Sequence, residues 1–382
     1  MLIGIDANEA NVVKRVGISE VAYWMLYYFA KFRHEDKDSS LDYQIYLKNQ
    51  PLSVLPSETD YWHYKVFGPK PLWTQFALPV RLFLQKPRPD VFFSLTHYAP
   101  RFSPVPTVVS VMDLAYLYYP QNFRARDLQQ LRSWTAYSVK KASKVITISN
   151  SSRNDIIKEY GLNKEKVVTV YPGIKQNLSL APHIYGMNEI AAKYHLSKHF
   201  ILFVGTIQPR KNIKRLIEAF EVVLRSKNEE ARSKDLELII IGKKGWLYEE
   251  ILETPKKLGI EERVKFLHSV PDDELKIFYQ HALCYVLPSL YEGFGLPVLE
   301  AMQYNCPGIT SNVSSLPEAG GDAALYVDPE DVEDIAAKIV QLISNEQLRK
   351  ELIAKGKEQT KKFSWEKSAR QALEVLEEVV KG

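Results

Sequence analysis

Short apolar runs alternate with amphipathic stretches along most of the chain. Leu2–Asp6 is apolar and β-branched, which predicts a strand, and a loop containing Gly17 leads into a helical pattern near Glu20–Phe32. Strands that alternate with helices in this way are typical of parallel sheets with helices on both faces. The pattern therefore predicts an α/β fold made of doubly wound, Rossmann-like sheets.

The predicted elements fall into two sets. In the first set, further strands are predicted at Val91–Leu95, Thr107–Met112, Lys144–Ile148 and Lys166–Val170, with a helix at Asp127–Lys141. In the second set, strands are predicted at Phe200–Gly205, Leu236–Gly242, Val264–Leu267, Leu283–Leu287 and Pro307–Ser311, and helices at Ile213–Ser226, Tyr248–Leu258, Asp272–Gln280 and Leu296–Tyr304. The polar stretch Lys175–Asn188 between the two sets lacks periodicity and is interpreted as a linker.

Two domains and a final helix follow from this division. The 382 residues suit two domains of roughly 150–200 residues each, predicted here as 1–180 and 190–362. Residues 363–382 contain a long amphipathic helix, Trp365–Val380, with Ser364 as its cap. Its apolar stripe needs a partner surface, and we expect it to pack back toward the first domain.

Composition narrows the class of protein. A content of 46% hydrophobic and 25% charged residues is that of a globular protein with real cores. No apolar run approaches the roughly 18–20 residues of a membrane span, and the opening MLIGIDANEA does not have the pattern of a signal peptide. Cys284 and Cys306 lie in or beside apolar stretches, which predicts small buried residues in a reducing compartment. These features together predict a cytoplasmic protein.

The charge of the chain argues against nucleic acid as a partner. The net charge of +4 is modest, and no tract of clustered Lys and Arg with interleaved aromatic residues suggests a strand-binding groove. Such a balance still allows attraction to phosphorylated ligands or to an anionic membrane face.

Two loops in the second half carry cations just after predicted strands, where parallel sheets bind their ligands. Gly205 ends one strand, and the loop after it presents Arg210 and Lys211, a forked donor beside a point charge, as a diphosphate requires. An exposed basic turn is the alternative. The loop Gly242–Trp246 (GKKGW) also allows close backbone approach, although a solvated loop explains it better.

A third loop, Tyr291–Met302, carries the string YEGFGLPVLEAM. Its Gly-x-Gly precedes a helix that begins near Leu296, with Pro297 in the first turn, and the amide groups there form an anion site. Glu292 lies in the loop and Glu300 about one turn into the helix, so they would contact different parts of one elongated ligand. A helix preceded by an acidic loop is the alternative for Gly-x-Gly alone, but the whole string favours a ligand site.

Over nearly its whole length the chain resembles the family-4 retaining glycosyltransferases, with a mannosyltransferase-like subgroup as the nearest pattern. The resemblance is tightest from Ile201 to Asp328 and rests on several ordered motifs. They read ISNSSRNDI, VYPGI, FVGTIQPRKN, PSLYEGFGLPVLEAM with its Glu-x7-Glu spacing, SSLPEAGGDAALYVDPED and FSW. The resemblance implies a GT-B fold, in which two Rossmann-like domains face a central cleft, the first binding the acceptor and the second the donor.

Roles for single residues are implied by the same resemblance. Arg210 and Lys211 would bind the donor diphosphate and stabilise it as it leaves, and Glu292 would contact hydroxyls of the transferred sugar near the reacting carbon. Backbone groups of Gly205, Phe294, Gly295 and Leu296 would line the donor site, Glu300 would hold the ribose, and Gly17 would let the first domain approach the diphosphate. The implied reaction retains configuration and uses no metal and no cofactor.

One position departs from the family pattern. Relatives of this type, many of them mannosyltransferases, carry His-Asp-Leu after the strand Thr107–Val111, where this chain has Met112-Asp113-Leu114. Methionine cannot donate the hydrogen bond of an imidazole. His97, at the end of the preceding strand, is the nearest replacement and becomes a candidate acceptor-site residue with Asp113. A structural histidine and a turn-forming aspartate are the alternatives.

The segment Lys65–Pro89 is the most distinctive part of the first half. It contains Lys65, Lys70, Arg81, Lys86 and Arg88 without a single acid, interleaved with Trp73, Phe76, Leu82 and Phe83. Cations beside aromatic residues suit a peripheral membrane contact or a lipid-diphosphate acceptor. A helix with an apolar core face and a solvated basic face is the alternative.

Three functions are compatible with these residues. The first is transfer of a hexose, best guessed as mannose from GDP-mannose with a UDP-sugar as the other option, to a saccharide or lipid-linked glycan at the inner face of the membrane. The second is a sugar-nucleotide epimerase of the same fold. The third is a non-catalytic nucleotide-sugar-binding protein, which the loss of the family histidine at Met112 keeps open.

Overall fold

The computed structural model describes residues 1–15, 17–36, 40–174, 186–226 and 235–382. They form two compact units, one made of Met1–Gly173 with Phe363–Gly382 and the other of Ile174–Lys362. Residues 175–185 of the predicted linker lie outside the described part. Its last two residues were assigned wrongly, because Met187 and Asn188 already belong to a helix.

Each unit contains a parallel sheet. The strands of the first unit are β1 (Leu2–Asp6), β2 (Asp42–Leu47), β3 (Trp62–Val66), β4 (Val91–Ser94), β5 (Thr107–Ser110), β6 (Lys144–Thr147) and β7 (Val167–Thr169). Those of the second unit are β8 (His199–Val204), β9 (Leu236–Ile241), β10 (Val264–Leu267), β11 (Cys284–Leu287), β12 (Gly308–Ser311) and β13 (Ala324–Val327).

Helices connect these strands. They are α1 (Ile18–Glu35), α2 (Ala77–Leu84), α3 (Ala115–Tyr118), α4 (Ala125–Lys141), α5 (Asn150–Tyr160), α6 (Met187–Tyr194), α7 (Ile213–Arg225), α8 (Glu249–Lys257), α9 (Asp272–His281), α10 (Leu296–Gln303), α11 (Leu316–Gly320), α12 (Val332–Ile343), α13 (Glu346–Thr360) and α14 (Trp365–Lys381). None of these described helices combines the length and the apolarity needed to cross a bilayer.

The strand order fixes where a ligand site belongs in each unit. The first sheet runs β3-β2-β1-β4-β5-β6-β7 and the second β10-β9-β8-β11-β12-β13, with every pair parallel. Chain order reverses between β1 and β4 and again between β8 and β11. Loops that leave such neighbouring strands in opposite directions open a crevice at the carboxyl edge of the sheet. In the second unit these are the loops after β8 and β11.

The last helix belongs to the core of the first unit. Trp365 is 2% exposed and stacks on Trp24 of α1, with ring centroids 6.3 Å apart and an interplanar angle of 13°. Gly173 permits the close approach of α14, since a Cβ there would lie 2.0 Å from the Trp365 amide nitrogen. Ser364 stands at the start of the helix, but the predicted side-chain cap is absent. The hydroxyl of Ser368, one turn later, instead donates to the carbonyl oxygen of Tyr171.

Replacing Trp365 by Ala should destabilise the first unit selectively, by about 3–5 kcal/mol, because it opens a cavity beside Trp24. Native-state hydrogen exchange should show faster exchange of β1 and β4 amides with little change in β8 and β11. Lys367→Ala, on the exposed face of the same helix, is the matched control. Equal acceleration in both sheets would contradict the assignment of α14 to the first unit.

Candidate functional site

Hydrogen bonds join the loop after β8 to the loop after β11. Asn212, in a left-handed conformation with φ 58°, ends the short turn that contains Arg210. Its side-chain amide donates to the carbonyl oxygens of Pro288 at 2.9 Å and Pro329 at 2.6 Å. The Leu290 amide donates to the carbonyl oxygen of Arg210 at 2.9 Å. These bonds place the cation-bearing turn directly beside the loop that carries Glu292.

A buried ion cluster lies where the two loops meet. Lys211 Nζ is 2.5 Å from Glu292 Oε1, and Arg210 Nη1 is 3.1 Å from Glu292 Oε2. Arg210 also donates to the carbonyl oxygen of Tyr291. Glu292 is 7% exposed and Lys211 is 9% exposed. The structure thus brings together the three residues predicted to carry the chemistry, and it shows an ion pairing among them that the sequence did not indicate.

The charge state of Glu292 follows from this cluster. Burial by itself raises the pKa of a carboxyl group, but the neighbouring charges of Lys211 and Arg210 outweigh it and lower the pKa of Glu292 to about 2. Glu292 is therefore ionised at neutral pH. In that state its oxygens only accept hydrogen bonds, so it can bind hydroxyl groups but cannot serve as a general acid.

The backbone of Glu292 is held by two serines after β12. Its amide donates to Ser314 Oγ at 3.0 Å, and Ser315 Oγ donates to its carbonyl oxygen at 2.8 Å. Sequence reasoning assigned no role to this pair. The available signal was Ser-Ser-x-Pro between a strand and a helix, which is typical of hydroxyl groups that satisfy a loop backbone.

The loop continues into the amino terminus of α10. Gly295 has φ 109°, which only glycine adopts readily, and a Cβ there would lie 2.8 Å from Leu316 Cδ2. The first bond inside the helix runs from the Val298 amide to the Gly295 carbonyl oxygen at 2.9 Å. The amides of Gly295 and Leu296 precede it at the positive end of the helix dipole. Phe294 is buried, with 2% exposure, and fixes the turn.

Glu300 lies further along α10 and has a partner that sequence reasoning missed. Tyr279 donates its hydroxyl to Glu300 Oε2 at 3.3 Å, and its ring stacks on Tyr304 with centroids 5.8 Å apart. Burial and then the Glu300 charge raise the pKa of Tyr279 well above its ordinary value, so the phenol remains a donor. Glu300 is thus oriented separately from the Glu292 cluster.

The glycines after β8 and β9 allow two backbones to approach closely. A Cβ at Gly242 would lie 1.9 Å from the carbonyl oxygen of Gly205, so no other residue fits without moving the loop. The Ile207 amide donates to the carbonyl oxygen of Lys243 at 3.0 Å. The Lys243 side chain itself is exposed.

Two candidate residues of the first unit, His97 and Asp113, follow the neighbouring strands β4 and β5, and the third, Gly17, lies before α1. Gly17 precedes α1 with φ 55°, and a Cβ there would meet open space. Asp113 Oδ1 accepts a hydrogen bond from the Ala115 amide at 2.9 Å, which is the turn-forming arrangement considered as its alternative. His97 Nε2 accepts from the Met112 amide at 3.4 Å. Within the described residues, its buried Nδ1 has no hydrogen-bond partner.

The protonation of His97 follows from these contacts. Burial lowers the pKa of the imidazole, against the opposing charge of Asp113, and favours the neutral ring. Because Nε2 accepts a hydrogen bond, the remaining proton lies on Nδ1. Across the part of the chain that the structure describes, no three His, Cys, Asp or Glu side chains gather closely enough to hold a metal ion.

Two family models match the chain. Residues 48–177 match Glycosyltransferase Family 4, and residues 188–359 match Glycosyl transferases group 1. The chain therefore carries a Glycosyltransferase Family 4 domain followed by a Glycosyl transferases group 1 domain.

Relatives of the chain include two O-antigen enzymes. The O-antigen chain mannosyltransferase B of Escherichia coli is 35% identical over 237 residues, which are 62% of this chain and 61% of the relative. The O-antigen chain mannosyltransferase RfbU of Salmonella typhimurium is 31% identical over 58% of this chain and 57% of the relative. The matched part therefore spans about three fifths of the length of these relatives.

Solved structures confirm the fold. Anabaena HepE with UDP and glucose superimposes with a TM-score of 0.73 over 99% of both chains at 18% identity. Sucrose-phosphate synthase from Thermosynechococcus elongatus gives a TM-score of 0.72 over 99% of this chain and 98% of that chain at 17% identity. The prediction of a GT-B fold with two Rossmann-like domains is confirmed.

Replacing Lys211 by Met should destabilise the second unit by about 3–5 kcal/mol at pH 7, because it leaves the buried Glu292 carboxylate with one cation only. Urea unfolding measures the effect. The double variant Lys211→Met, Glu292→Gln should recover most of the loss, since no buried carboxylate then lacks a cation and Arg210 keeps its hydrogen bond to the Tyr291 carbonyl oxygen.

The same ion pairs set a pH dependence. The pKa of Glu292 in the folded protein, about 2, lies below the ordinary value of 4.5, so its contribution to stability is complete above pH 4.5 and is lost as the pH falls toward 2. In Lys211→Met the pKa of Glu292 should rise, and the gap to wild type should narrow as the pH falls through that raised value. A gap that stays constant as the pH falls toward 2 would contradict the electrostatic origin.

Proposed function

We propose that the chain is a retaining, metal-independent hexosyltransferase that moves mannose from GDP-mannose to a saccharide or lipid-linked glycan. The observation that carries this proposal is the buried Arg210, Lys211 and Glu292 cluster at the strand-order reversal of the second unit. The matches to glycosyltransferase family models and to mannosyltransferases support it.

The cluster suits departure of a nucleoside diphosphate. Two cations against one carboxylate leave a net positive charge, and the amino terminus of α10 adds roughly half a charge more. Negative charge grows on the diphosphate as the sugar bond breaks, and preorganised donors lower the barrier most where charge develops. Arg210 and Lys211 supply this stabilisation without a metal ion in the proposed mechanism.

Glu292 then faces the sugar. As an ionised acceptor beside the cations, it would bind sugar hydroxyls near the reacting carbon and stabilise the positive charge that forms there. Glu300, oriented by Tyr279, would accept the ribose hydroxyls. Backbone groups of Gly205, Gly295 and Leu296 would border the phosphates. An approach of the Gly17 backbone to the diphosphate stays a prediction.

Mannose is proposed from the names of the relatives and GDP from the family resemblance, while Anabaena HepE was solved with UDP and with UDP-glucose. A UDP-sugar is therefore the second donor candidate. A panel of nucleotide sugars tested for thermal stabilisation distinguishes them, because a ligand that binds only the folded state raises its melting temperature. An anomeric assay of the product tests retention.

The proposed place of action is the cytoplasmic face of a membrane, where a lipid-linked acceptor would be available. The basic and aromatic segment Lys65–Pro89 would make a peripheral contact there. An acceptor without a lipid anchor remains compatible with the donor site.

Arg210→Ala and Glu292→Gln should each lower turnover of the preferred donor by about a hundredfold or more, because each removes a contact that strengthens as the donor bond breaks. Release of free nucleotide from the donor measures the rate. Glu250→Gln, which breaks the exposed ion pair with Lys214, is the matched control and should keep the wild-type rate.

The proposal fails if wild type releases nucleotide from no donor, which would favour the non-catalytic binding protein. Interconversion of the donor sugar without transfer would favour the epimerase.

His97 is proposed to donate its Nδ1 proton to the acceptor. His97→Ala should weaken acceptor-dependent transfer by about tenfold while donor hydrolysis is unchanged, because one neutral hydrogen bond is lost. His97→Asn places an amide donor near the former Nδ1 and should retain more activity than His97→Ala. Equal losses in both variants, with lowered melting temperatures, would instead show that His97 only supports the Met112 loop.

A further inference from the structure

Asp6, the last residue of β1, has a buried carboxyl group that the protein satisfies on one oxygen only. The residue is 2% exposed. Asn8 donates to Asp6 Oδ1 through its side-chain amide at 2.6 Å and through its backbone amide at 3.2 Å. Among the described residues, no donor contacts Asp6 Oδ2. A buried acceptor without a partner costs free energy, so such a group calls for a bound ligand, ion or water.

Glu9 places a second carboxyl group beside Asp6. It is half-buried and forms no hydrogen bond or ion pair within the part of the chain that the structure describes. Burial raises the pKa of Glu9, and the nearby charge of Asp6 raises it further. Lys48 is close enough to oppose both shifts, but its ammonium group lies over the Trp73 ring, 5.5 Å from the centroid, and pairs with neither carboxyl group.

Both carboxyl groups follow a strand at the point where the first sheet reverses its order. Asp6 is in register with Ser94 of β4, and Glu9 lies in the loop that leaves β1. Ligands of open parallel sheets bind beyond the carboxyl ends of the strands at such a reversal. His97 follows β4 at the same edge, and its buried Nδ1 likewise has no partner among the described residues. This edge therefore carries two acceptor groups and one donor that are not satisfied there.

Sugar hydroxyls match this set of groups, because each hydroxyl can both donate and accept a hydrogen bond. Asp6 and Glu9 would accept from neighbouring hydroxyls, and His97 would donate to one. A phosphate would instead bring negative charge against two carboxyl groups, which is unfavourable. A metal ion is less well matched, since the described residues contain no group of three His, Cys, Asp or Glu side chains that could hold one.

We propose that Asp6 and Glu9 bind hydroxyl groups of the terminal sugar of the acceptor, and that this sugar carries no negative charge. The inference rests on the proposed function, because it concerns the acceptor of the same transfer reaction. It also narrows that function, since any phosphate of a lipid-linked acceptor must then lie away from these two residues.

Ligand-observed NMR titration of the full chain, without donor, tests the proposal. The probes are the neutral methyl glycosides of mannose, glucose and galactose, together with the 6-phosphates of the same sugars. Wild type should bind at least one neutral glycoside, and the matching 6-phosphate should bind at least about tenfold more weakly. Asp6→Asn should weaken the glycoside about tenfold or more, because the amide keeps one oxygen for Asn8 and replaces the other with a donor.

Asp6→Asn also gives a readout that a purely structural role would not give. Burial raises the pKa of Asp6, so the folded chain disfavours the charged form of this side chain. The neutral amide should therefore keep or raise the melting temperature while glycoside binding falls. Asp90→Asn is the matched control. Asp90 Oδ2 accepts from the Leu2 amide at 2.7 Å, at the other end of β1, so this variant should melt at a lower temperature and bind the glycoside like wild type.

The inference is overturned if wild type binds no neutral glycoside, if the 6-phosphates bind as tightly, or if Asp6→Asn and Asp90→Asn weaken binding equally. Calorimetric binding of Ca²⁺ that Asp6→Asn abolishes would also overturn it, in favour of a cation site. Release of nucleotide from the donor without acceptor tests the proposed function separately. A chain that hydrolyses no donor but binds a glycoside through Asp6 would contradict the transferase and support the sugar site.

Discussion

A carboxylate removed from water is stable only where fixed positive charge replaces its hydration, and Glu292 is such a group. Its oxygens lie 2.5 Å from Lys211 and 3.1 Å from Arg210, which ties the loop after β11 to the turn after β8. These strands are neighbours only because the sheet reverses its order between them. Asn212, Ser314 and Ser315 then fix the backbones on either side. The site is therefore a consequence of the strand order and of one buried charge.

The positive charges of Arg210 and Lys211 have two effects. They hold Glu292 ionised, with its pKa near 2, and they remain able to face an anionic ligand because the cluster keeps a net positive charge beside the amino terminus of α10. An ionised Glu292 binds hydroxyls and cannot donate a proton at neutral pH. In a transferase, the cations would contact the leaving diphosphate and the carboxylate would contact the sugar.

The sequence predicted those parts of the fold whose signal is local. The mostly apolar strand Leu236–Ile241 and the loop that carries Glu292 could be placed from pattern and motif. Strand β3 is not predicted from the sequence, because this edge strand mixes polar and apolar residues. Helix α13 (Glu346–Thr360) is not predicted either, because it is strongly polar and its apolar stripe is too weak to indicate a helix. The hydrogen-bond partners of Asn212 and Tyr279 could not be predicted, because they depend on loop conformations and on strands that are far apart in the sequence.

Binding of the donor diphosphate by the Arg210, Lys211 and Glu292 cluster can be measured directly. Calorimetric titration with GDP and GMP, and with UDP and UMP in parallel, isolates the contribution of the second phosphate. In wild type the preferred diphosphate should bind at least about tenfold tighter than its monophosphate, as charge-assisted contacts require. The neutralised variant Arg210→Gln, Lys211→Gln, Glu292→Gln strands no charge and should bind both nucleotides alike. If the ratio of diphosphate to monophosphate affinity in that variant is the same as in wild type, the cluster does not bind the second phosphate.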